Sequence, residues 1–195
     1  QVRITSRLRP GSADLTGLFA RADRIPLAND SSCGVGFAPF TDLERTVLAV
    51  EYGLNGPEIK RVHPEIGTDI KVMGVRHGGR IQLTVACAFV DRYVASLADY
   101  AAMKDAVRQL VVRMGREVSD REVSADVNLA DDLEHGGVYL TVTGTSAEAG
   151  DDGEVGRGNR ACGLITPYRM MSLEAVAGKN PVSHVGKLYN LLAWR

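Results

Sequence analysis

The segment from Tyr139 to Asn190 constrains the fold most, because an alternating apolar strand runs directly into two glycine-rich loops. The loops also carry charged side chains: Asp151, Asp152, Arg157 and Arg160 in the first, and Lys179, His184 and Lys187 in the second. Backbone amides made accessible by glycine, together with cations and carboxylates, suit a polyanion held with a metal ion. This residue chemistry indicates a phosphate ligand. The Gly-Lys pairs lack the full P-loop spacing, so they do not indicate a Walker-type site.

Charge and cysteine content exclude several classes of protein. The 195 residues include 23 basic and 24 acidic side chains, a balance that argues against a nucleic-acid or membrane-surface protein. The sequence shows neither an apolar run of membrane-spanning length nor a signal peptide. Cys33, Cys87 and Cys162 are odd in number and far apart, which predicts a reducing cytoplasm, no disulfide framework and no structural zinc.

Apolar periodicity predicts an α+β fold. Thr41 and Glu44 form a capping box that predicts a helix to about Tyr52, and helical spacing predicts another helix over 97–114. Residues 54–67 read as a loop, and strands are expected at 69–75, 80–90, 124–129 and 138–145. The glycines at 78 and 79 predict that the first two strands form a hairpin. Because these elements do not follow strict βαβ alternation, we expect mixed sheets with helices packed on one face.

The order of short motifs closely resembles that of archaeal-type S-adenosylmethionine synthetases (methionine adenosyltransferases). The motifs are G-T-S-A-E at 144–148, G-D-D-G at 150–153, G-R-G-N-R at 156–160, G-L-I-T-P at 163–167 and G-K-N-P at 178–181. Similar sequences at 26–36 and 69–74 extend the resemblance over essentially all of the chain, although family members are longer at both ends. The expected organisation is a fragment, 1–195, with a central sheet-helix unit at about 30–145 and phosphate-binding loops at about 146–190. The N-terminal and C-terminal parts of the family are absent from it.

The resemblance implies that ATP and L-methionine form S-adenosylmethionine, with release of phosphate and pyrophosphate. It also implies Mg²⁺ and K⁺ as cofactors, and a homodimer whose active sites form between two subunits. A truncated, non-catalytic relative that binds nucleotide or regulates a complete subunit is the alternative. A third interpretation, a generic phosphate-binding α+β domain, explains the glycine-rich loops but not the long match in sequence motifs.

The same resemblance assigns roles to individual residues. It implies catalytic roles for Arg157, Lys179 and Lys71, ATP binding by these three with Asp30, Asp69, Arg160 and Lys187, and methionine binding by Asp151 and His184. It leaves the metal ligands unassigned. Asp69 and Lys71 lie two apart on a predicted strand, so both side chains should project from one face.

Local chemistry offers alternatives at several of these positions. Asp30 could be only a turn or cap residue, and the Asp69 and Lys71 pair a solvent-facing stripe. Arg160 could form a structural salt bridge to Asp152, while His184 and Lys187 could cap the following helix.

Two further positions separate this chain from the family pattern. His63 superficially resembles the histidine of the family's catalytic G-H-P-D segment, but it lacks the flanking glycine and aspartate and reads as a loop residue. Cys162 stands where archaeal-type members usually carry a polar amide, and Met170 where they usually carry proline.

Overall fold

The computed structural model describes residues 5, 35–145, 162–170, 192 and 195. The chain divides into two compact units, one formed by Gln1–Ala38 with Gly153–Arg195 and the other by Pro39–Asp152. The second unit holds the sheet and the helices whose bounds are given below. Within the described residues, no helix is both long and apolar enough to cross a membrane.

The second unit is built on a mixed sheet whose central strand is β2 (Arg80–Val90). Strand β1 (Ile66–His77) pairs antiparallel with one edge of β2. On the other edge, β3 (Glu122–Val127) pairs parallel with the first half of β2, and β4 (Leu140–Thr141) pairs parallel with its end. The sheet is therefore three positions wide, and β3 and β4 share the third position.

A tight glycine turn joins β1 to β2. His77 pairs with Arg80, so Gly78 and Gly79 form the connection, and Gly78 adopts a φ of 58°. Glycine reaches this left-handed region without the steric cost of a Cβ atom. The predicted hairpin is confirmed.

Two helices begin at side-chain caps that the sequence encodes. Helix α1 (Asp42–Leu54) opens with the predicted capping box: Thr41 Oγ1 accepts from the Glu44 amide at 3.2 Å, and Glu44 Oε2 accepts from the Thr41 amide at 2.7 Å. The short helix α2 (Pro57–Val62) follows. Helix α3 (Leu97–Val118) begins after Ser96, whose hydroxyl accepts from the Asp99 amide at 3.1 Å.

The core lies between the sheet and helices α1 and α3, which pack against β1 and β3. Alternate side chains of β2 enter this core and are fully buried: Ile81, Leu83, Val85, Cys87 and Phe89. Tyr100 of α3 packs edge-on against Phe89 with 5.2 Å between ring centroids. At Gly74, a Cβ atom would lie 2.7 Å from Val47 Cγ2, so glycine allows α1 to approach β1 closely.

The opposite face of this sheet is covered by no helix among the described residues. Met73 and Val75 of β1 project there and are 57% and 54% exposed. The structure therefore confirms the predicted α+β fold with a mixed sheet and helices packed on one face.

Two expectations for local structure were wrong. Residues 54–67 are not simply a loop, because they contain α2 and the start of β1. Pro57 occupies the first turn of α2, where its missing N–H leaves no helical hydrogen bond unmade, so an apparent turn signal marks a helix start. The strand expected at 138–145 is only Leu140–Thr141, since the Gly144 amide turns back to donate to Thr141 Oγ1 at 2.8 Å.

The first unit is described only in short segments. Within it, the Arg169 guanidinium lies 4.1 Å from the centroid of the Phe37 ring, a cation–π contact. Cys162 and Leu164 are buried, while Met170 is exposed.

Candidate functional site

Asp69 and Lys71 are the two predicted site residues that the structure describes. Lys71 Nζ lies 2.8 Å from both carboxylate oxygens of Asp69, so the two side chains project to the same side of β1, as predicted. The Lys71 side chain is 62% exposed, whereas that of Asp69 is 16% exposed. The pair therefore combines a largely covered anion with a cation that remains open to solvent.

A break in the strand register places Asp69. Pairing between β1 and β2 shifts between Ile66 and Ile70. The carbonyl oxygen of Gly144 accepts hydrogen bonds there from the amides of Thr68, at 2.8 Å, and Asp69, at 3.0 Å. The residue that carries the carboxylate is thus tied through its main chain to the segment that follows β4.

Two glycines allow this crossing of chains. A Cβ atom on Gly67 would lie 2.5 Å from Gly144 Cα, and Gly144 itself has a φ of 74°. Neither position can accept a larger side chain without movement of the backbone. The same approach positions the start of the glycine-rich segment beside the register shift.

Lys60 of α2 is a second cation beside the register shift, and it binds main-chain carbonyls there. Its Nζ donates to the carbonyl oxygen of Ile66 at 3.2 Å and to that of Gly67. Burial lowers the pKa of Lys60, because the charged ammonium loses part of its hydration. We interpret Lys60 as a structural cation that fixes the carbonyls preceding Asp69.

Tyr139 is a component of the site that the sequence did not reveal. Its hydroxyl donates a hydrogen bond to Asp69 Oδ2, across a separation of 70 residues in sequence. Tyr139 lies at the start of the glycine-rich segment, but nothing in the local pattern there indicates a partner on β1. Asp69 is thus contacted by a lysine on its own strand and by a tyrosine from the far edge of β2.

The side chain of Asn128 completes the edge of β2 between β3 and β4. Its Oδ1 accepts from the Cys87 amide at 2.8 Å, and its Nδ2 donates to the Cys87 carbonyl at 2.9 Å. These are the two hydrogen bonds that a neighbouring strand would otherwise make. Asn128 has a φ of 46°, a left-handed conformation that asparagine adopts more readily than most residues.

A buried polar cluster continues from Asn128 to Tyr139. Asn128 Nδ2 also lies 2.9 Å from the Tyr100 hydroxyl, which in turn donates to Asp131 Oδ2 at 2.8 Å. Burial raises the pKa of Tyr100 to about 12, so this hydroxyl keeps its proton at neutral pH. Lys104 Nζ completes the cluster at 2.8 Å from Asp131 Oδ2.

The remaining predicted site residues lie outside the described residues, and their roles stay predictions. They are Asp30, Asp151, Arg157, Arg160, Lys179, His184 and Lys187. In the part of the chain that the structure describes, no three His, Cys, Asp or Glu side chains are grouped as metal ligands.

His63 takes part in a local contact rather than in this site. It follows the last turn of α2, where its Nδ1 lies 2.9 Å from Glu65 Oε1. The contact lies outside the pair formed by Asp69 and Lys71, in accordance with the reading of His63 as a loop residue.

Comparison with known proteins identifies the family. A family model described as S-adenosylmethionine synthetase matches residues 1–195. The chain is 57% identical over 195 residues to the "Probable S-adenosylmethionine synthase" of Aquifex aeolicus, covering 98% of this chain and 49% of the relative. It is 56% identical over 194 residues to the "S-adenosylmethionine synthase" of Pyrococcus furiosus, covering 98% of this chain and 48% of the relative.

The match is long within this chain but partial within the relatives. A third relative, the "S-adenosylmethionine synthase" of Methanothermobacter thermautotrophicus, is 56% identical over 192 residues, with 97% of this chain and 48% of the relative covered. The chain thus spans about half the length of the curated relatives it matches. Because the family model covers every residue from 1 to 195, the chain belongs to the S-adenosylmethionine synthetase family.

Proposed function

We propose that the protein carrying this chain is a methionine adenosyltransferase, which forms S-adenosylmethionine from ATP and L-methionine. The observation that carries the proposal is the joined pair Asp69 and Lys71, which lies on β1 within a family match over the whole chain. The names of the relatives support the same activity. In the proposed site, Asp69 accepts hydrogen bonds from the ribose hydroxyls, and Lys71 carries positive charge toward the phosphates.

The proposed reaction requires alignment and charge stabilisation more than proton transfer. A lone pair on the methionine sulfur attacks the 5′ carbon of ATP, an S–C bond forms, and the C–O bond to the triphosphate breaks with its electrons on oxygen. The thioether sulfur has no proton to lose, so it needs no general base. The triphosphate is then hydrolysed to pyrophosphate and phosphate. Holding two substrates in line and stabilising the leaving group would provide the rate enhancement.

Lys71 would change partners when ATP binds. Its ion pair with Asp69 is more than half exposed on the lysine side, and such pairs contribute only about 0–1 kcal/mol. A triphosphate presents several negative charges where Asp69 presents one, so exchange of partners is electrostatically favourable. The proposal also assigns paired phosphate oxygens to Arg157, through its planar guanidinium, and ATP binding to Asp30, Arg160, Lys179 and Lys187.

For methionine, the proposal assigns Asp151 to the amino group and His184 to the same pocket. The proposed enzyme also uses Mg²⁺ and K⁺ as cofactors. Asp69 does not suit a metal ligand, because Lys71 contacts both of its oxygens and Tyr139 donates to one of them. No step of the mechanism is therefore assigned to a metal held by the described residues.

A homodimer with active sites between two subunits, working in the reducing cytoplasm, completes the proposal. The free thiols of Cys87 and Cys162 are compatible with a reducing compartment. Light scattering of the full-length protein during gel filtration would measure its mass; a monomer that is fully active would contradict the shared site.

The test is formation of S-adenosylmethionine by the full-length protein, given ATP, methionine, Mg²⁺ and K⁺ and measured by mass spectrometry. Arg157→Ala should lower turnover by roughly 10²-fold or more, as expected for loss of a charged group that stabilises the leaving group. Arg108→Ala is the matched control, because Arg108 lies on α3 and pairs with Asp105 at the surface. Unchanged turnover in Arg157→Ala would contradict the role of Arg157. ATP binding without product would favour the non-catalytic alternative.

A further inference from the structure

Tyr139 points toward the face of the sheet that carries Lys71. Phe89 of β2 pairs with Leu140 and is fully buried on the helix-covered face. Paired residues of neighbouring strands project to the same face, and successive residues project to opposite faces. Tyr139, one residue before Leu140, therefore projects to the open face, where its hydroxyl donates to Asp69.

The main chain of Tyr139 is held from both sides. Its amide lies 3.2 Å from Asp131 Oδ1 and 3.3 Å from the Tyr100 hydroxyl, and its carbonyl accepts from the Phe89 amide at 3.1 Å. Asp131 is itself fixed, because its side chain is only 5% exposed and pairs with Lys104. The phenol ring thus extends from a main chain that is fixed at both its amide and its carbonyl, and its hydroxyl lies beside Asp69.

We propose that Tyr139 is a positioning residue, whose hydroxyl holds the Asp69 carboxylate in place when Lys71 leaves it for the phosphates. This inference rests on the proposed function of Asp69 and Lys71. Without the hydroxyl, the carboxylate would lose its link to the far edge of β2 at the moment its lysine partner departs. Asp69 would then be held less firmly in the rotamer that meets the ribose.

The test uses the full-length protein with Tyr139→Phe, which removes the hydroxyl and keeps the ring and main chain. The dissociation constant of Mg-ATP, measured by calorimetry, should rise roughly tenfold, the effect of one hydrogen bond to a charged group. In the enzyme assay, the KM for ATP should rise by a similar factor, with kcat changed less than twofold. Tyr93→Phe is the matched control, because Tyr93 contacts Arg92 through its ring, which phenylalanine retains.

A double-mutant cycle separates positioning from general stability. If Tyr139 acts through Asp69, adding Tyr139→Phe to Asp69→Asn should weaken ATP binding much less than it does in the unaltered background. Two results would overturn the proposal: ATP binding within twofold of the unaltered protein, or the same loss in both backgrounds. Product formation by the unaltered protein tests the proposed function separately, and the binding measurement reports on Tyr139 even without turnover.

Discussion

Replacing Asn128 by alanine should destabilise the second unit strongly, although it removes only one small polar side chain. The Asn128 amide satisfies both main-chain groups of Cys87, a residue with no solvent exposure. Leaving a buried donor or acceptor unpaired costs about 1–3 kcal/mol, so two such groups cost roughly 2–6 kcal/mol. Alanine at a φ of 46° adds about 1–2 kcal/mol of strain. We therefore expect the free energy of unfolding to fall by about 3–8 kcal/mol.

The assay is urea unfolding of the protein, followed by circular dichroism, with the loss taken from the shift in midpoint and the slope. Asn55→Ala is the matched control, because Asn55 donates to Glu51 at the end of α1 and is only partly buried. We expect that control to lose less than about 1 kcal/mol.

Asn128→Gly separates the two contributions, since glycine adopts the left-handed conformation without strain. It should be less damaging than alanine by about 1 kcal/mol, and still far more damaging than the control. An alanine variant no less stable than Asn55→Ala would refute the reasoning, because it would mean that the edge of β2 does not depend on the side chain of Asn128.

Two further predictions concern the core. Gly74→Val should destabilise the protein by about 1–3 kcal/mol through overpacking, because a Cβ atom at this position would already lie 2.7 Å from Val47 Cγ2. A loss of stability under about 0.5 kcal/mol in the same urea assay would contradict this, because it would mean that α1 moves away freely. Burial raises the pKa of Cys87 from its ordinary 9.0 to about 12, so the folded state holds the proton longer than the unfolded state. The stability that the Cys87 thiol contributes is complete below pH 9 and falls as the pH rises toward 12. Between pH 8 and pH 10, the free energy of unfolding in urea should therefore decrease less in Cys87→Ala than in the unaltered protein. Equal decreases would contradict burial of the thiol as the cause.

The elements that could be predicted well from the sequence are those determined by residues close together in the chain. The capping box at Thr41 and the hairpin at Gly78 each depend on a few consecutive positions. The placement of Asp69 and Lys71 on one side of a strand follows from the two-residue repeat of extended chain. The start of α2 was missed because proline suits both a turn and the first turn of a helix.

The contacts that complete the site could not be read locally. Asn128 meets Cys87 across 41 residues, and Tyr139 meets Asp69 across 70. No periodicity encodes such pairs, because they depend on which strands share an edge of β2. The roles of the residues in the glycine-rich loops rest on the family resemblance and remain predictions, one of which Arg157→Ala tests.

The position of the Tyr139 side chain gives a steric reason for a small residue, Ala88, on the central strand of the sheet. Tyr139 starts at the third position of the sheet and ends at Asp69 in the first, so its ring must pass over β2. The register places Ala88 at that point, between Phe89, which faces Ile66, and Cys87, which faces Ile70. Ala88 is fully buried although it lies on the face away from the helices. We therefore expect the small Ala88 side chain to leave room for the aromatic ring, and a longer side chain at this position to obstruct it.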